Sequence, residues 1–301
     1  AIPSAQADLG ITPENVQFDS RWKHIALAEE FASYGGLRRF PEGWTVATYP
    51  HLPSFIYGWA FLAPGVTLFD KVELAAHMEF TTFLGTLVAT PAVVRLLVPR
   101  VRAHLSWVVR FCFPGFFLYD SSLSTGADHL GAFFVLPAFA MLVRFLRKLE
   151  WRYAVLMAIP LCGVGMTKYT CTTMTWPLFG AAVAVRGGWA LWQKLRHKDL
   201  GALARNWFVG PATALVCLFA FTSVHWVKNW MWYGDPTYPT LYKHLALDPW
   251  TQDAAEMFEW GYKDFQFWRP DRNLKGVLES VGATFSFSFV PNDYRAYHGK
   301  V

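Results

Sequence analysis

"GADHLGAFFVLPAFAMLVRFLRKLEWR", residues 126–152, sets an acid and a histidine at one end of an apolar run and four bases at the other. The run, 129–147, is close to the roughly 20 helical residues that cross a hydrocarbon core. Asp128 and His129 stand at one boundary. Arg144, Arg147, Lys148 and Arg152 gather at the other. Read as a strand or a soluble helix, this stretch has no polar face. Read as a membrane span, its ends define two sides.

Working outward, comparable runs lie at 54–69, 74–98, 104–119, 153–168, 171–186 and 207–229. Hydrophobic residues make up 53% of the 301 and charged residues only 16%, well under the ~25% of a typical soluble domain. The fold expected is therefore all-α: a polytopic helical membrane protein. Segment 54–69 is short and holds Pro64 and Gly65, so it is expected in the interface or dipping into it. With that segment excluded, the connections alternate in charge. Arg95, Arg100 and Arg102, then the bases after 143, then Arg186, Lys194, Arg196, Lys198 and Arg205 share one side. Basic loops mark the cytoplasm. About six crossings follow. Residues 1–73 are then an outer-face loop with interfacial helices, 74–229 the bundle, and 230–301 an outer-face C-terminal segment.

The net charge of +5 is small and the bases sit between apolar runs rather than in a stripe, which excludes nucleic acid as a partner. Cys112, Cys162, Cys171 and Cys217 lie in or beside apolar runs without metal-ligand spacing, so packing is the expected role and no metal site is assigned.

Loop charge also gathers Asp19, Asp120, Asp128 and Asp235 on the outer face. Helix capping explains any one of them; four beside aromatic loops suggest a site. In "NVQFDSRWKHIALAEEF" (15–31), Asp19 leads a weakly amphipathic run through Ile25, Ala28 and Phe31. "YPHLPSFIYGWAF" (49–61) opens with a proline-stiffened turn around His51, suited to the first turn of a helix. "GMTKYTCTTMTWP" (165–177) puts Lys168 in a tight outer turn, where a lysine either snorkels or holds a phosphate. "HWVKNWMWYGDPTYPTLY" (225–242) sets Lys228 before an aromatic belt and a Gly234-Asp235-Pro236 turn.

The string Lys228-Asn229…Gly234-Asp235-Pro236-Thr237-Tyr238-Pro239 resembles that of bacterial membrane glycosyltransferases of the GT-C class, family 39 and its relatives. These include protein O-mannosyltransferases and the aminoarabinose transferase of lipid A. An acid leading a juxtamembrane helix ("FDSRW"), a "YPPLP"-like segment ("YPHLP") and an acid in the next outer loop ("GADH") come in that class's order over most of 15–245. The class begins with a transmembrane helix ahead of the first outer loop. This chain opens inside that loop, so a processed or truncated N-terminus is expected.

The resemblance implies transfer of a sugar, with inversion, from a polyprenyl-phosphate donor to an acceptor on the periplasmic face of a bacterial inner membrane. In that reading Asp19 is the general base. Asp128, with His129, binds sugar, acceptor or a divalent metal that nothing in the sequence requires, so the cofactor stays unknown. Lys168 and Lys228 neutralise the departing carrier phosphate. Tyr49, His51, Asp235 and Tyr238 form pocket walls. The partners implied are the lipid-linked donor and membrane lipid. Two readings compete: a transporter, which is expected to carry charges nearer mid-bilayer, and a non-catalytic subunit that meets other subunits of a larger membrane assembly.

Overall fold

A computed structural model describes residues 23–40, 45–102, 105, 125–197, 201–238, 241–245, 271 and 273–289. Among these the secondary structure is helical, without a strand. The elements are α1 (Ile25–Tyr34), a 3₁₀ turn (Thr45–Thr48), α2 (Leu52–Phe61), α3 (Leu68–Leu97), α4 (Asp128–Lys148), α5 (Trp151–Thr167), α6 (Tyr169–His197), α7 (Gly201–Tyr233), the short α8 (Tyr242–Leu245) and α9 (Leu274–Phe289).

Three stretches are long and apolar enough to cross a membrane: α3, α4 and Val209–Tyr233 of α7. Helix α5 is apolar over 17 residues, just short of a full hydrocarbon thickness. Expected span 104–119 lies almost wholly outside the described residues. The chain is thus helical with membrane-spanning character, and the count of six stays an expectation. Along these helices large apolar side chains face outward, Val88 at 74% exposure and Phe221 at 67% among them, as lipid-facing positions would.

Two boundaries differ from the sequence reading. Segment 54–69 is not one element. Helix α2 ends at Phe61, Gly65 turns the chain with φ 72°, and α3 already begins at Leu68. A reciprocal cap starts it: Thr67 N–H donates to Asp70 Oδ2 at 2.9 Å, and Asp70 N–H donates to Thr67 Oγ1. The basic stretch after 186 is not a loop either. Helix α6 runs on to His197, and within it the Arg186 guanidinium donates to the Leu146 carbonyl at 2.9 Å.

Packing follows side-chain size. Small residues let helices close: Gly210 of α7 lies against the backbone of Trp151, and Gly163 lies under Phe134. One apolar cluster joins Ala138, Leu142, Met157, Leu161, Phe179 and Leu218 from α4 to α7. A second seats α1 on α2 and the first turns of α3 through Ile25, Ala28, Tyr57, Ala60, Phe61 and Ala75. The amphipathic reading of 25–31 therefore holds, but the face is buried against protein. The second lies toward the end of the bundle where α1, α2 and the starts of α4 and α6 meet the end of α7.

Candidate functional site

Asp128 opens α4 as its first residue, after Ala127 at the cap without a side-chain cap bond. Its carboxylate meets the Lys168 ammonium at 3.0 Å. Lys168 reaches it because it is the single extended residue between α5 and α6, with φ −161° and ψ 137°. Capping is therefore not what Asp128 does. Its acid at a helix start is favoured by the backbone dipole, and its side chain is turned to a cation. His129 points the other way: its Nδ1 lies 2.8 Å from Glu79 Oε1, and its ring edge packs on Phe83. The expected Asp128–His129 pair is thus divided between the site and the bundle.

Lys228 is 8% exposed, and its ammonium has no hydrogen-bond partner among the described residues. The ring of Trp232 lies 5.6 Å from it, a weak compensation for a buried charge. His51 lies in its field and is held well below its ordinary value by burial, with Lys228 adding to the effect. His51 also bonds the Ala47 carbonyl through Nε2 at 2.6 Å and packs its ring on Phe31. The two lysines thus differ: Lys168 is paired, whereas Lys228 is desolvated with no counter-charge among the described residues.

Tyr49 packs edge-on against Tyr169 with ring centres 5.6 Å apart, and the Lys23 ammonium lies 5.1 Å from the Tyr49 ring. The Tyr169 hydroxyl lies 2.7 Å from His225 Nε2 and donates to the Tyr238 carbonyl at 3.4 Å. Tyr238 is fully buried and stacks on Tyr233 at 4.2 Å. It holds the end of α7 in shape. Asp235 is also fully buried. Its Oδ1 accepts from Thr237 N–H and Oγ1, each at 2.8 Å, and its Oδ2 accepts from Leu241 N–H at 2.9 Å. Both oxygens are engaged within its own turn, so Asp235 shapes the loop rather than facing a ligand. Asp19 and Asp120 lie outside the described residues; α1 starts at Ile25, with His24 at its cap. Burial, with Lys23 and Lys168 beside it, pushes the His24 imidazole down to about 3.

Several groups here were not singled out from the sequence. Asn229 donates to the Thr48 carbonyl at 3.0 Å and reaches the Tyr238 carbonyl at 3.4 Å. His225, Lys228 and Asn229 share a helix face at i, i+3 and i+4, a spacing that was legible. Glu79 is 2% exposed, and a lone acid inside the apolar run 74–98 was a signal too. Its Oε2 accepts from Thr125 N–H at 2.6 Å and its Oε1 from Gly126 N–H at 3.3 Å. Tyr57 donates its hydroxyl to the Gly126 carbonyl at 2.5 Å; burial, then Glu79 and Asp128, push its phenol well up. Thr125 sits at φ 53°, a left-handed conformation costing on the order of 1–3 kcal/mol outside glycine.

An apolar groove of about 460 Å³ runs between α5, α6 and α7, lined by Met157, Leu161, Trp176, Phe179, Leu215 and Leu218 among others. Leu218 stands ten residues before Lys228, about 15 Å along the helix. Among the described residues, no group of three or more His, Cys, Asp or Glu side chains is placed to hold a metal ion. No family model, curated protein or solved structure matches this chain.

Proposed function

We propose that this chain is a membrane glycosyltransferase of the GT-C type. In this reading it moves a sugar from a polyprenyl-phosphate donor to an acceptor on the periplasmic face, with inversion. One observation carries the reading: a buried ammonium, Lys228, with no counter-charge among the described residues, shares an end of the bundle with the Asp128–Lys168 pair. A departing phosphate supplies the missing anion at Lys228. Preplaced charge stabilises it with little reorganisation. Asp128 and Lys168 orient hydroxyls of the sugar or acceptor. Tyr49 and His51 wall the site, and the apolar groove further along α7 suits the donor's hydrocarbon chain.

Asp19 takes the acceptor proton as general base. Its assignment rests on the sequence string; Lys23 and His24, four and five residues on, stand beside Tyr49, Lys168 and Asp128. Six crossings and a bacterial inner-membrane location belong to the same proposal.

Transfer from a panel of polyprenyl-phosphate sugars into defined acceptors tests it. Product from wild type, lost in both Asp19→Asn and Asp128→Asn, is expected. Equal product from wild type and Asp19→Asn removes the base assignment. Donor binding without any transfer, over the whole panel, favours the assembly-subunit reading instead.

A further inference from the structure

Glu79 accepts from three donors at once: two successive backbone N–H groups, of Thr125 and Gly126, and the His129 ring. Both carboxylate oxygens are engaged, Oε2 with Thr125 and Oε1 with Gly126 and His129. From the opposite side, Tyr57 donates to the Gly126 carbonyl. The peptide around Gly126 is therefore gripped on both edges. Thr125 is held in a left-handed conformation that a β-branched residue rarely adopts unless its surroundings impose it. Two residues past Gly126, Asp128 reaches Lys168 at 3.0 Å. Asp128 is 57% exposed, so contacts of its own side chain do little to hold it. Its position is inherited from the backbone before it.

We infer that Glu79 is a positioning residue: by anchoring the 125–126 turn it aims Asp128 at Lys168, and this needs two acceptor oxygens. Any catalytic consequence rests on the glycosyltransferase reading; the geometry does not. Glutamine has nearly the same shape but sets an NH₂ donor against an N–H donor on whichever oxygen it replaces. Glutamine at 79 therefore frees at least one edge of the turn without opening a cavity.

The test uses the full chain in lipid nanodiscs and needs no transfer activity. Amide hydrogen exchange over 121–130 is compared between wild type and Glu79→Gln. In parallel, acetylation of Lys168 is timed by mass spectrometry, with exposed Lys148 as internal control. Exchange at 125 or 126 is expected to quicken at least about tenfold, since at least one of the two amides loses its buried acceptor. Lys168 is expected to acetylate on the order of two- to fivefold faster, the scale of one partly exposed ion pair. Asp128→Asn should reproduce that rise, and Glu79→Gln should add nothing on top of it. A general loosening of the fold would quicken Lys148 as well and would add to Asp128→Asn. Either of those results overturns the inference, as does unchanged exchange at 125 and 126. If Glu79→Gln does not accumulate, Glu79→Asp keeps the charge but withdraws it by one methylene. Intermediate exchange and labelling are then expected, and wild-type behaviour in both overturns the inference. Loss of transfer in every protein, with the exchange and labelling as expected, sinks only the enzymatic reading.

Discussion

Asn229 donates its side-chain amide to the Thr48 carbonyl at 3.0 Å, across 181 positions of sequence. That bond ties the 3₁₀ turn near the beginning of the chain to α7, one of the helices long and apolar enough to cross a membrane. His51 stands three residues on from Thr48, so the same bond helps bring it into the field of Lys228.

Removing that donor takes one hydrogen bond from the Thr48 carbonyl and one from the Tyr238 carbonyl, which the Tyr169 hydroxyl also meets. Asn229→Ala should lower unfolding stability by about 0.5–1.5 kcal/mol, the usual net worth of a buried hydrogen bond. Asn229→Asp should cost more, because it turns an acceptor toward acceptors. Thermal unfolding in detergent reads both, and a change below about 0.5 kcal/mol for Asn229→Ala would refute the tie.

Lys228→Met leaves an unbranched side chain one atom shorter and removes a buried charge that has no partner among the described residues. Replacing such a charge by an apolar group is often neutral or stabilising. The midpoint of Lys228→Met should therefore be no lower than wild type. Polyprenyl phosphate should raise the wild-type midpoint by binding the folded state and leave that of Lys228→Met unchanged. An equal rise in both would remove Lys228 from the phosphate role.

His24 has a folded value near 3 against an ordinary 6.5. Between those values the unfolded chain binds a proton that the folded chain does not, so stability falls as pH drops from about 6.5 toward about 3 and is level above. One such histidine gives a slope of about 1.4 kcal/mol per pH unit inside that window. His51 adds in the same direction. His24→Gln should flatten the acid limb; an unchanged limb would show that His24 titrates normally.

Helix contacts make a sharper steric prediction. A Cβ on Gly210 would stand 2.8 Å from the Trp151 Cα, a backbone atom that cannot swing away. Gly210→Ala should force α5 and α7 apart and cost about 1–3 kcal/mol. A Cβ on Gly180 would meet nothing within 4 Å, so Gly180→Ala should be neutral or slightly stabilising, alanine being the better helix former. Paired melting curves compare them, and equal effects would contradict the packing of α7 on Trp151.

The helical class and the apolar segments of α3, α4, α5 and α7 were legible from residue 126 outward. They depend on local composition, and a helix satisfies its own backbone bonds. The tight break at Lys168 was legible for the same reason. The roles of acids and bases were not. Asp128 and Asp235 look alike in sequence, each an acid near a span end. One faces a lysine 40 positions away and the other closes its own turn. Lys168 and Lys228 likewise read as a pair, although among the described residues Lys168 meets an acid and Lys228 is buried without a partner. Glu79 stood in plain view inside an apolar run and acquired meaning only when a loop some 46 positions away supplied its donors. Hydropathy and periodicity are properties of neighbours along the chain, so a sequence states them outright. Whether a charge is met, buried or orphaned depends on what the fold brings from elsewhere, and only the tertiary structure decides that.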